Sequence, residues 1–228
     1  MRKRKREVIA LSEEEESSAS ATEEPDTKKM KMDEDMPQPG QRAAFFTLLD
    51  DDYIQRFLAS DSCYRISDKY LLAMVLTYFR RANLRTEEYS QYFFSALFLA
   101  NQFEEDGEIH LDIFPWALEQ MHDVTEDDVK NLRNQLLLQM GFKAWVDRTT
   151  CDLVMAQDPE HWAWKRERKE HHSWAIRWFR RDEEDDIMAG PLDIPLPCSL
   201  CNIIRLCMEE ENIECQPDTE LEPGTSDG

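Results

Sequence analysis

Read at 3.6 residues per turn, the stretch Tyr70–Phe79 (YLLAMVLTYF) has almost no polar face. Apolar side chains fall at nearly every angle around the helix axis, and in water only burial on all sides stabilises such a helix. It therefore belongs at the centre of a bundle. A second run, Phe93–Ala100 (FFSALFLA), has the same character. Neither run approaches the roughly 20 apolar residues that span a bilayer, so no membrane association is expected. Two central helices need a shell around them, and from Phe45 to about Ala156 the apolar residues recur at helical spacing.

Start and stop signals divide that region. A first short helix is expected over Asp51–Ser60, burying Ile54, Phe57 and Leu58. Ser67 is placed to cap the second helix, which runs to about Ala82 and carries Asp68 near its positive end. Thr86 caps the third, with Glu87 and Glu88 in its first turn, and it ends in Phe103-Glu104-Glu105-Asp106-Gly107. Phe114-Pro115-Trp116-Ala117-Leu118 reads as a short turn or helix with proline near its start. Thr125 and Asp128 open a fourth helix in the manner of a capping box, and Gly141 stops it. Asp147 starts a fifth, bearing Cys151, Val154 and Met155. No strand-like alternation occurs. The expected fold is all-α, a single bundle of about five helices over residues 45–156.

The flanks differ in kind. Residues 1–44 hold few apolar side chains, so burial cannot offset the entropy of ordering them, and they are expected to be disordered. Their basic cluster Arg2, Lys3, Arg4, Lys5 and Arg6 fits a nuclear import signal, against the plainer reading of a solvated tail. After Asp158-Pro159 the chain becomes basic and aromatic through residue 190, with a helix expected to about Arg181. Residues 191–228 are broken by Pro191, Pro195 and Pro197 and end in a loose acidic tail.

Chemistry is scarce. No phosphate-cradling glycine loop and no hydrolase or kinase motif is present. Glu104 and Glu105 are neighbours, but adjacent residues on a helix point apart, so no catalytic residue is expected, no cofactor, and no enzyme. With 48 acidic against 27 basic residues the net charge is −21. A chain so acidic repels phosphate, which disfavours nucleic acid as a partner. The exception to weigh is residues 161–181, where Trp162, Trp164, Trp174 and Trp178 interleave with Lys and Arg. They could stack on single strands; the favoured alternative packs the tryptophans on the bundle and leaves the cations in water. Six cysteines in a chain that opens with charge suit a reduced, intracellular protein. Cys198 and Cys201 form a CxxC with His171 and His172 upstream, a donor set that suits tetrahedral zinc. The second CxxC of a zinc motif is missing, so unliganded cysteines, and no metal, are the expectation.

Several strings are idiosyncratic enough to carry a resemblance. The order of the helices resembles a cyclin box, through YLLAMVLTYFRRANL (70–84), FSALFLANQFEED (94–106) and Thr125–Phe142. The strings SDKYLLAMVLTYFRRA (67–82), LFLANQFEED (97–106), IFPWAL (113–118), VMAQDPEHWAWKRER (154–168), HHS (171–173) and CSLC (198–201) resemble the Speedy (RINGO) family, nearest to its C type. That family comprises atypical activators of cyclin-dependent kinases.

The resemblance implies a single cyclin-like box that forms a heterodimer with a cyclin-dependent kinase. Docking beside the kinase's C-helix lets the catalytic Lys–Glu pair form. The activation loop is ordered with little need for its phosphorylation, and cell-cycle or meiotic progression follows. The resemblance assigns Asp68 to an activation-loop arginine, because a carboxylate accepts forked hydrogen bonds as a phosphate does. It assigns Glu104, Glu105 and Asp106 to a kinase-contacting acidic segment; the nucleus is expected from the basic cluster Arg2–Arg6. Gly107, Ile109 and His110 dilute that segment relative to the family pattern. The substrate-recruiting patch of many cyclins is not visible in the first helix. Two other functions stay open: a nucleic-acid-associated protein using residues 161–181, and a scaffold that binds the kinase without activating it.

Overall fold

The computed structural model describes residues 35–104, 109–169, 172, 190–193, 198 and 201. Among them are seven α-helices and no strand: α1 (Pro39–Leu49), α2 (Asp52–Ser60), α3 (Lys69–Arg81), α4 (Tyr89–Glu104), α5 (Phe114–Met121), α6 (Glu126–Gln139) and α7 (Arg148–Met155). No helix among the described residues is long and apolar enough to cross a membrane.

The two runs without a polar face become α3 and α4, which pack against each other at the centre. Every residue from Leu71 to Phe79 is buried, as is every residue from Tyr92 to Asn101. Each large apolar side chain so buried contributes about 1.5–3 kcal/mol. Aromatic rings knit the shell to this centre. Phe57 of α2 meets Phe94 edge-on at 5.0 Å and Trp116 of α5 at 5.6 Å. Phe98 of α4 packs on Phe114 at 4.9 Å. Some of the polar groups inside bond across elements: Tyr78 Oη donates to the Ala144 carbonyl at 2.8 Å, and Asn101 Nδ2 donates to the Ile66 carbonyl at 2.9 Å.

Capping side chains explain where helices begin. Asp51 accepts from the Tyr53 and Ile54 amides, and Asp147 accepts from the Thr150 amide. Thr125 and Asp128 bond reciprocally. Gly141, after α6, has a φ of +60°, the left-handed conformation that glycine adopts without strain.

Four expectations need correction. First, α1 lies mostly within the segment expected to be disordered, and it buries Phe45 and Leu49. Pro39 and Gly40 read as breakers, yet Pro39 occupies the first helical position, where a missing N–H costs nothing. Second, the cap of α3 is Asp68 rather than Ser67. Third, the count is seven rather than about five, because α1 is added and Phe114–Met121, expected as a short turn or helix, is a helix. Fourth, residues 162–165 form a short 3-10 helix, and 166–169 are irregular rather than α-helical.

Candidate functional site

The loop between α2 and α3 is built around a buried carboxylate. Asp61 accepts from the Arg65 amide at 2.8 Å, the Ile66 amide at 3.1 Å and the Ser67 hydroxyl at 2.7 Å. These bonds curl residues 61–67 into a compact turn and consume Ser67, which is why Ser67 does not cap α3. A strap from the far end of the chain, residues 166–169, then lies across this turn. Arg166 donates to the carbonyls of Ser67 and Leu58 and to the Ser67 hydroxyl, and its guanidinium lies 4.4 Å over the Tyr64 ring. The Lys69 amide donates to the Arg166 carbonyl at 2.8 Å, and Lys69 pairs with Glu167.

This strap fixes Asp68. One oxygen of its carboxylate accepts from the Tyr70 and Leu71 amides at 2.9 Å each, and the other lies 3.2 Å from Arg168 Nη2. Arg168 is itself held by the Arg65 carbonyl at 2.7 Å. Asp68 is 8% exposed. Burial pushes its carboxyl above the ordinary aspartate range, against the pull of Arg168 and the two amides. A buried, fixed carboxylate is thus presented at the positive end of α3.

Because α3 and α4 pack together, the start of α3 lies beside the end of α4. Asp68 and Glu104 consequently line one open groove of about 550 Å³, together with Tyr70, Met74, Trp145, Arg148 and Arg168. Glu104 is exposed in the last turn of α4, where the helix dipole disfavours negative charge by a few tenths of a kcal/mol. A residue placed against local preference marks a position chosen for something other than stability. Trp145 is 66% exposed. Its backbone is nevertheless pinned from α3, since Arg81 donates to the Trp145 and Lys143 carbonyls at 2.7 Å each and pairs with Asp35. The groove therefore combines a recessed carboxylate, an exposed one and a presented indole. That combination suits a protein partner offering a cation and an apolar side chain.

A family model described as cell cycle regulatory protein, Spy1, matches residues 40–168, more than half of the chain and all seven helices but the first residue of α1. The chain belongs to the Spy1 family. Its Speedy relatives include Speedy protein A of Rattus norvegicus, 46% identical over 72% of this chain and 53% of its own length. Human Speedy protein C is 43% identical over 72% of this chain and 60% of its own. Human Speedy protein E4 is 42% identical over 57% of this chain and 55% of its own. The chain spans between about half and three-fifths of these relatives. The A and C types match at similar identity, so the expected likeness to the C type is met without separating the two.

The matched region ends at residue 168, within the strap. Sequence reasoning placed the cations of 161–181 in water. In the structure Arg166 is buried and Arg168 is 13% exposed at its side chain. These two guanidinium groups are engaged within the fold. Of the tryptophans, Trp164 is buried in the core and Trp162 Nε1 donates to Asp50 at 3.1 Å. Of the four acidic residues assigned to kinase contact, Asp68 and Glu104 share the groove, while Glu105 and Asp106 lie outside the described residues, as do Arg2–Arg6. Trp145 and Arg168 were missed. Trp145 stands in KAWVD, where an apolar residue reads as core, and no local signal sets it apart.

Proposed function

We propose that this chain is a regulatory subunit that binds and activates a cell-cycle cyclin-dependent kinase, with the Asp68–Glu104 groove as the kinase-facing surface. Membership in a family of cell cycle regulatory proteins supports the kinase as partner. The observation that carries the site is the convergence of Asp68 and Glu104, 36 positions apart in sequence, on one groove beside an exposed indole.

Each part has a role. Arg168 and the amides of α3 hold the Asp68 carboxylate in one orientation, so an incoming guanidinium meets it already placed. A carboxylate has about four acceptor sites. The two amides and Arg168 leave Asp68 about one acceptor site for a charge-assisted bond from an activation-loop arginine, which would otherwise wait for a phosphate. Glu104, with Glu105 and Asp106 after it, adds an acidic rim that draws in the basic partner. Trp145 supplies the apolar anchor. The protein itself performs no chemistry. It lowers the cost of the kinase's active arrangement, in which the Lys–Glu pair is closed and the activation loop ordered. In a cell the basic cluster Arg2–Arg6 would carry the subunit to the nucleus, in support of cell-cycle or meiotic progression.

The test is phosphate transfer by a purified cell-cycle cyclin-dependent kinase that has never been phosphorylated on its activation loop. Adding this chain should raise its activity by orders of magnitude, saturating at one chain per kinase. Binding without activity would identify a non-activating scaffold, and no binding to any cell-cycle member would sink the proposal.

A further inference from the structure

Outside the groove, four side chains from three separate parts of the chain meet at one point. Cys63 comes from the loop between α2 and α3, His172 from just beyond the strap, and Cys198 and Cys201 from the distant CxxC. Their donor atoms all lie within 4.8 Å of one another. Sequence reasoning had the CxxC with His171 and His172 but not Cys63, which stands 135 positions before Cys198 and belongs to no local motif.

The distances discriminate between possible chemistries. A disulfide holds its sulfurs about 2.05 Å apart, whereas Cys63 Sγ and Cys201 Sγ are 3.6 Å apart. Tetrahedral zinc, with Zn–S of about 2.3 Å and Zn–N of about 2.0–2.1 Å, sets two ligand sulfurs roughly 3.8 Å apart and a sulfur and a nitrogen roughly 3.6 Å apart. His172 Nε2 is 3.3 Å from Cys201 Sγ and 3.4 Å from Cys198 Sγ. The Cys63–Cys201 separation and both nitrogen–sulfur separations thus match the edges of a zinc tetrahedron to within a few tenths of an ångström. One imidazole nitrogen facing two sulfurs at once is the arrangement a shared cation produces.

The surroundings agree. The Cys201 amide lies 3.5 Å from Cys198 Sγ, which lets the CxxC turn donate to its own ligand sulfur. Three thiolates around a divalent cation leave one net negative charge, and Lys169 Nζ lies 3.4 Å from Cys201 Sγ to offset it.

We propose that Cys63, His172, Cys198 and Cys201 form a closed, structural zinc site of the Cys3His type. Binding expels the thiol protons of the three cysteines, leaves His172 neutral with Nε2 on the metal, and leaves no open position for substrate. The site fastens the CxxC and the residue after the strap to the loop that sets Asp68, so it braces the groove from behind. It rests on the cysteine and histidine geometry alone and is independent of the kinase reading.

The experiment is metal analysis by mass spectrometry of the full chain, purified under reducing conditions without chelator. The expected result is about one zinc per chain. Cys63→Ser and Cys198→Ser should each weaken binding by roughly two orders of magnitude, read by competition with a chromogenic chelator. Cys151→Ser, which alters a cysteine in α7, should keep the full complement. His172→Cys, which preserves a ligand, should retain metal and keeps the test valid if a serine variant folds poorly. Cobalt added to the stripped protein should give the intense visible absorption of a tetrahedral thiolate site. A zinc-supplemented, reduced chain that carries no metal would overturn the proposal. So would a zinc content unchanged by Cys63→Ser, or thiol titration showing these cysteines joined as a disulfide.

Discussion

The centre of the molecule and the strap at its edge are both buried, but they are stabilised by opposite means. In α3 and α4 burial is apolar and local, with consecutive residues packing in all directions. In the strap, Arg166 and Arg168 bury charge against a loop about 100 positions earlier in the chain, bond by bond. The centre tolerates exchange of one apolar side chain for another of similar volume. The strap does not, since the carbonyls and carboxylates that its guanidinium groups engage would be left buried without their donors. A fold can thus rest on a forgiving core and still depend on a few exact polar contacts where it presents its functional surface.

The sharpest way to break the comparison is to remove one member of each. Phe93→Ala should cost about 3–5 kcal/mol in urea unfolding through transfer and cavity terms. Arg166→Met should cost about 3 kcal/mol although it keeps the volume, because Asp61, which is 4% exposed at its side chain and 3.9 Å from Arg166, loses its counter-charge. A cost below about 1 kcal/mol for Arg166→Met would mean that the strap is ornamental.

Asp68→Asn sharpens the difference between stability and function. Asparagine keeps an oxygen for the Tyr70 and Leu71 amides, and the burial that raises the carboxyl pKa is relieved by a neutral side chain. Arg168 loses its counter-charge, so stability at neutral pH, read by thermal unfolding, should fall by about 1–3 kcal/mol. Kinase activation by the still-folded variant should fall by at least tenfold, about 1.4 kcal/mol. The sign with pH follows from the raised pKa. The aspartate's contribution is fully present below its unfolded value near 3.8 and is lost as pH rises through the folded value, so the asparagine variant should flatten the stability profile over that acidic window.

A smaller effect is expected where the segment before the strap meets α1. His161 stacks on Phe46 at 3.7 Å and accepts from the Ala163 amide through Nδ1, a bond that needs that nitrogen unprotonated. Burial holds its pKa below 6.5. A base with a depressed folded pKa contributes stability that is present above its unfolded value and lost as pH falls through the folded one. Wild type should therefore lose a little stability below pH 6.5 that His161→Gln does not lose, measured by thermal unfolding across pH.

The same contrast explains what was legible in the sequence. The apolar runs of α3 and α4, the helix starts at Asp51, Thr125 and Asp147 and the stop at Gly141 are local signals, and each stands where it was read. Helix α1 was hidden because Pro39 and Gly40 mimic a break. Asp61, Arg166 and Arg168 could not be read, since a hydrogen bond spanning about 100 residues leaves no periodicity. The candidate site divides along the same line. Asp68 and Glu104 were named on the strength of a family resemblance, while their partners Arg168 and Trp145 needed the folded chain.

The most direct test of the central claim is the affinity of Glu104→Lys for an unphosphorylated cyclin-dependent kinase, measured by calorimetry beside wild type. Glu104 is exposed at the end of α4, and circular dichroism and the unfolding temperature, measured alongside, separate a lost contact from a lost fold. If the Asp68–Glu104 groove faces the kinase, the affinity should fall at least tenfold, about 1.4 kcal/mol. An affinity equal to wild type in a fully folded variant would contradict the assignment.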